Sequence, residues 1–137
     1  MRYWLVKSEP EEWSWQDQLA KGDVGEGWTG VRNHQAAANL KAMQIGDRAF
    51  FYHSGKERAV VGIAGVTGTW QPDPTDAEGK FGMVVLRALE ALPRPVTLAE
   101  IKADPALADL PLIRQSRLSV MSIPDDAWHH IQAMARV

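Results

Sequence analysis

At 137 residues, 45% hydrophobic and 23% charged with a mean hydropathy of -0.26, the chain has the composition expected of a water-soluble globular protein, which excludes disordered and membrane-spanning classes. A net charge of -2 argues against nonspecific binding along a phosphate backbone, which needs many Lys and Arg to displace counterions. The absence of cysteine excludes disulfides, thiolate metal sites and a cysteine nucleophile.

The length suits one domain over 1–137, expected to bury roughly two thirds of its unfolded surface around one core. Met1 to Lys7 is too short and too soon charged for a secretory signal, and no apolar run approaches a spanning helix, so a cytoplasmic protein without a membrane partner is expected. Six Trp is a high number for this length, and about four of them are expected in the core.

Arg2 to Lys7 alternates bulky residues and reads as a first strand, ended by Ser8-Glu9-Pro10. Ser14 and Asp17 form a capping box for a short helix through Leu19, stopped at Lys21-Gly22-Asp23. Gly22 to Gly30 is a glycine-rich loop carrying Trp28, an aromatic with no periodic reason to be there. Asn33 caps a helix with an apolar stripe of Ala36, Ala37, Leu40 and Met43, and Gly46 marks its end.

Arg48 to His53, Val60 to Trp70 and Phe81 to Leu89 read as strands, and glycines at 62, 65 and 68 suit a strongly bent one. The two prolines of Gln71-Pro72-Asp73-Pro74-Thr75-Asp76 make a fixed loop between the last two. Thr97 to Ala103 and Pro124 to Met134 read as helices, with a short strand at Leu118 to Met121 between them.

Gly62, Gly65 and Gly68 lie within a strand and lack the Lys-Ser/Thr of a phosphate loop, and the four histidines show no ligand spacing. Lys7 and Ser8 could serve a hydrolase as base and nucleophile only if the strand broke at Lys7, since neighbours on a strand point to opposite faces. No metal or cofactor is therefore expected.

A binding site is the better-supported reading. Trp28, Val31, Arg32, Asn33, Gln35 and Asn39 lie close together in sequence, and Gln35 and Asn39 share a helix face whose N-terminal end, with Arg32 and Asn33, favours an anion. An aromatic plane, amide groups and a phosphate clamp match what one nucleotide presents. Against this stands the structural alternative, in which Trp28 plugs a loop, Asn33 only caps and Arg32 pairs on the surface. Tyr52, His53 and Ser54 end a strand and could place polar tips nearby. Arg114, Arg117 and Ser119 cluster later, with Arg117 the candidate phosphate contact.

Four segments, Tyr3-Trp4-Leu5-Val6-Lys7-Ser8-Glu9-Pro10, Trp28-Thr29-Gly30-Val31-Arg32-Asn33-His34-Gln35-Ala36, Phe51-Tyr52-His53-Ser54, and Gly62-Ile63-Ala64 with Pro72-Asp73-Pro74, resemble in order and spacing the EVE domain family, to which the thymocyte nuclear protein of animals belongs. The resemblance implies an α+β, PUA-like fold: a twisted β-barrel of about five to six strands flanked by short α-helices, with a pocket near the end of strand one. It also implies kinship in fold with YTH and ASCH domains and binding of modified bases, modified cytosine in DNA among them.

Lys7-Ser8-Glu9 resembles the YTH Lys-Ser-Asn, and Trp28 looks like the tryptophan of the YTH cage. Glu9 replaces the asparagine, and an ionised carboxylate accepts but does not donate, so a base with an exocyclic amino group, such as cytosine or a derivative, suits it better than N6-methyladenine. The expectation is a non-catalytic, monomeric module that stacks a flipped-out base of DNA or RNA on Trp28. Ser8, Glu9 and Pro10 would border its edge, with Asn39, His53 and Asp73 as further candidates. A nucleoside amidohydrolase, a free-nucleotide sensor and a protein-interaction module stay open as alternatives.

Overall fold

Alternation of Tyr3, Leu5 and Lys7 with Trp4, Val6 and Ser8 drives the first segment into β1 (Tyr3–Ser8), at the heart of the computed structural model, which describes all 137 residues. After it come α1 (Trp15–Ala20), β2 (Glu26–Gly27), α2 (His34–Ala42), β3 (Arg48–His53), β4 (Ala59–Pro72) and β5 (Gly82–Thr97). The chain closes with α3 (Leu98–Ala103), α4 (Pro111–Arg114), β6 (Val120–Ile123) and α5 (Asp125–Met134).

The six strands form one sheet in the order β2-β5-β4-β3-β1-β6. β1 and β3 run parallel, with Leu5 opposite Phe50 and Ser8 opposite His53, and every other pairing is antiparallel. The strand number and flanking helices agree with expectation, but the sheet does not close into a barrel. Its end strands β2 and β6 pair only with β5 and β1, and β2 is two residues long.

Each face of the sheet has its own aromatic packing. On the Tyr3, Leu5 and Phe50 side, Trp128 of α5 is stacked between Tyr3, at 4.4 Å, and Phe50, at 3.8 Å. On the Phe51 side, Trp15 and Trp28 both meet Phe51 edge-on, at 5.3 and 5.6 Å. Trp4, Trp15, Trp28 and Trp128 are buried, leaving Trp13 and Trp70 partly exposed.

Two glycines let the Phe51 side pack closely. A Cβ on Gly62 would lie 2.6 Å from the Trp15 ring, and one on Gly25, whose φ is +72°, would lie 2.6 Å from the Leu86 carbonyl oxygen. The buried Asp47 carboxylate accepts from Arg2 N, Trp4 Nε1 and Gln44 N, tying the start of β1 to the turn before β3, whereas the buried Trp15 Nε1 has no partner.

Candidate functional site

Because β1 and β3 are parallel, the chain leaves both at the same end of the sheet, and ligands of open sheets collect at the carboxyl ends of parallel strands. Here Lys7, Ser8 and Glu9 from β1 meet Ser54 from the end of β3, the backbone joined by Ser54 N donating to Ser8 O at 3.0 Å. The third wall is the segment between β2 and α2, contributing Trp28, Thr29, Gly30, Val31 and Arg32. Together with Glu12, Trp13, Glu26 and Ser119 they line a cavity of about 550 Å3.

The third wall is held in place by Asp73, whose side chain is fully buried at the β4–β5 turn. Oδ2 accepts from Gly30 N at 2.8 Å and Arg32 Nη1 at 3.0 Å, while Oδ1 accepts from Thr75 N and Thr75 Oγ1. Burial by itself would raise the Asp73 pKa, but these donors outweigh it and hold the carboxyl at about 2. Arg32 also donates to Thr75 Oγ1, so it is a fixed cation on the rim.

Of the residues expected at the site, Ser8, Glu9, Trp28, Val31, Arg32 and Ser54 line the cavity. Asp73 does not: it is an anchor behind the wall rather than a ligand contact. His53 is likewise committed elsewhere. Its Nε2 accepts from Trp15 N at 3.0 Å, which leaves the proton on Nδ1 to be donated to Glu57 at 2.9 Å. Tyr52 is in the core, because alternation along β3 turns it to the Phe50 side. Asn39 donates to Val120 O at 2.7 Å and joins α2 to β6.

Pro10 does not line this cavity but belongs to the turn in which Glu9 O accepts from Glu12 N and Trp13 N. Asn33 caps α2 through Ala36 N and, with Gln35, Arg114 and Arg117, borders a second, polar groove of about 330 Å3. Lys7 joins the two hollows by donating its Nζ to Ser116 O at 2.8 Å, and burial lowers its pKa. Lys7 and Ser8 thus bond to different partners, Ser8 Oγ donating to Trp13 O.

Trp28 is the main correction. It lines the cavity as expected, but it is only 7% exposed and sits edge-on against Phe51, so its ring belongs largely to the core. The other tryptophan in the lining is the partly exposed Trp13, which sequence reasoning missed, along with Glu12, Glu26 and Thr29. The signal available was the Trp count itself: with about four of the six rings expected in the core and Trp28 assigned to stacking, one remained unassigned.

A family model described as the EVE domain matches residues 2–134. The chain belongs to the EVE domain family. This EVE domain is similar to Rpa0253 from Rhodopseudomonas palustris, with 51% identity and a TM-score of 0.94, covering 99% of this chain and 94% of the other. It is also similar to human THYN1, solved in complex with 5-methylcytosine containing DNA, with 29% identity and a TM-score of 0.90 over 100% and 99% of the two chains.

A YTH domain from Zygosaccharomyces rouxii, in complex with N6-methyladenosine RNA, aligns at TM-score 0.61 and 18% identity over 98% of this chain and 86% of the other. That likeness places this EVE domain with YTH domains in the PUA-like fold.

Proposed function

We propose that this EVE domain is a non-catalytic module that takes one flipped-out, modified base of a nucleic acid, with modified cytosine favoured, into the cavity at the end of β1 and β3. The observation that carries the reading is the cavity lining, in which the partly exposed Trp13 and the largely buried Trp28 stand beside Glu9 and Glu12, whose carboxylates form no ion pair within the chain. Aromatic planes accept any base by stacking, and a carboxylate selects one that offers an amino group, as in contacts to cytosine N4. The human relative's complex with 5-methylcytosine containing DNA supports the same ligand class.

Flipping a base costs a few kcal/mol, and stacking returns roughly 1 to 3 kcal/mol, so edge and phosphate contacts must supply the remainder. Glu9, which lines the cavity, is the proposed acceptor for the base edge. On this reading Arg32 on the rim and Arg117 in the adjoining groove meet the flanking phosphates, with Asn33 and Gln35, which line the same groove, as amide donors. In this proposal the carboxylates serve the base and the guanidinium groups the backbone, a local mode of recognition that suits a chain of net charge -2. No covalent step is involved.

The test is a fluorescence-anisotropy titration with short labelled oligonucleotides carrying one cytosine, 5-methylcytosine, 5-hydroxymethylcytosine or N6-methyladenine. A modified cytosine is expected to bind tightest, and Glu9→Gln to weaken that preference. Equal, weak binding of all four would contradict the proposal.

A further inference from the structure

Gln18 is a fully buried polar side chain that the proposed base-reading role does not use. A buried amide is costly unless both of its ends are satisfied, and here both are. Its Nε2 donates to Leu86 O on β5 at 2.9 Å, and its Oε1 accepts from the indole Nε1 of Trp13 at 2.9 Å. The amide orientation follows from its partners, since the indole N–H can only donate and the backbone carbonyl can only accept.

Trp13 is held at two further points. Its N–H donates to Glu9 O at 2.9 Å, and its carbonyl accepts from Ser8 Oγ. The ring is thus fixed to β5 through Gln18, while the backbone is fixed to the end of β1. The two anchors, Ser8 and Glu9, also line the cavity. Trp28, by contrast, is largely core, and Trp70 lies outside the cavity lining.

We infer that Trp13 supplies the accessible stacking face for the bound base, and that Gln18, which does not line the cavity, is the positioning residue that sets the plane of that face. The inference rests on the base-reading proposal above and deepens it. Gln is suited to the place by chemistry. Glu would set a carboxylate against the Leu86 carbonyl, and Met, of similar length, would leave both the indole N–H and the carbonyl without a partner. Ser8, whose proton goes to the Trp13 carbonyl, belongs to the same support.

The experiment is a double-mutant cycle on binding to a 5-methylcytosine oligonucleotide, using Trp13→Ala, Gln18→Met and the pair. Trp13→Ala is expected to weaken binding about ten- to a hundredfold, the range that one base–aromatic stack supports. Gln18→Met is expected to weaken it about three- to tenfold, and to add nothing once Trp13 is Ala. Additive losses in the pair would show that Gln18 acts only through general stability, and would overturn its positioning role.

Trp13→Phe, which keeps a ring but removes the N–H, provides a second probe should Gln18→Met unfold. It is expected to lose affinity by an intermediate factor, and an unchanged affinity would overturn the role of the hydrogen bond. If wild type prefers 5-methylcytosine but Trp13→Ala binds equally well, this inference fails and the base-reading proposal stands. If wild type binds none of the oligonucleotides, the base-reading proposal itself fails.

Discussion

Replacing Asp73 by Asn tests how the third wall of the cavity is held. Its carboxyl is held at about 2 against an ordinary 3.8, and its side chain is fully buried. At 1.36 kcal/mol per pKa unit, the ionised form contributes roughly 2 kcal/mol to folding. The folded pKa is the depressed one, so this stability is present above about pH 4 and is lost as pH falls through about 2. Asn would also turn an NH2 group towards one of the two donor pairs, Thr75 N with Thr75 Oγ1, or Gly30 N with Arg32 Nη1.

Urea denaturation followed by circular dichroism should therefore place the variant at least about 2 kcal/mol below wild type at pH 7. That gap should shrink by about 2 kcal/mol between pH 5 and pH 2, as the wild-type carboxyl takes up its proton. Oligonucleotide affinity at pH 7 should fall as well, because Gly30 and Arg32 lose their common anchor. A gap below about 0.5 kcal/mol at pH 7, or one that stays constant across that pH range, would refute the reasoning.

Gly62→Ala should destabilise the protein by about 1 to 3 kcal/mol in urea, since the added methyl meets the Trp15 ring at 2.6 Å and that ring is enclosed. His53→Phe should cost about 1 to 3 kcal/mol in the same assay, because the buried Trp15 N–H loses its acceptor; full stability would contradict the assigned role. Arg117→Ala should weaken binding to all oligonucleotide sequences alike and reduce the salt slope by about 1, whereas Arg94→Ala, paired with Glu100 away from the cavity, should leave both unchanged.

The elements legible in the sequence were those set by local chemistry. The Ser14 and Asp17 capping box and the Asn33 cap are both present, and the alternation of Arg2 to Lys7 is β1 shifted by one residue. What failed depended on partners distant in sequence. β5 was expected to end at Leu89, ahead of Pro93 and Pro95, yet it runs to Thr97. It can do so because β2 pairs only with Val85 and Leu86 on one edge, and because Leu92 to Pro95 bulge where the pairing with β4 skips from Gly62–Ala91 to Val60–Val96. The prolines are therefore asked for no ladder hydrogen bond.

The site divides the same way. Glu9 and Ser54 follow strand ends and Arg32 precedes a helix start, boundaries that sequence can locate, and all three reach the cavity. Asp73, His53 and Asn39 have the right chemistry for binding, but their hydrogen bonds are spent on Gly30, Trp15 and Val120, residues that only the fold brings near. The two tryptophans of the lining follow the same rule: the Phe51 face draws Trp28 inward, and Trp13, to which the sequence reading gave no role, is hydrogen-bonded to Gln18, itself bonded to the distant Leu86.

The central claim, that a base occupies the cavity at the end of β1 and β3, is tested most directly by mapping backbone and indole amide NMR shifts during titration with an oligonucleotide carrying a single 5-methylcytosine. The largest changes should fall on Ser8 to Trp13, Trp28 to Arg32 and Ser54, with the Trp13 Nε1–H resonance among them. Changes confined to α5 or to the α3–α4 region, with those segments silent, would contradict it.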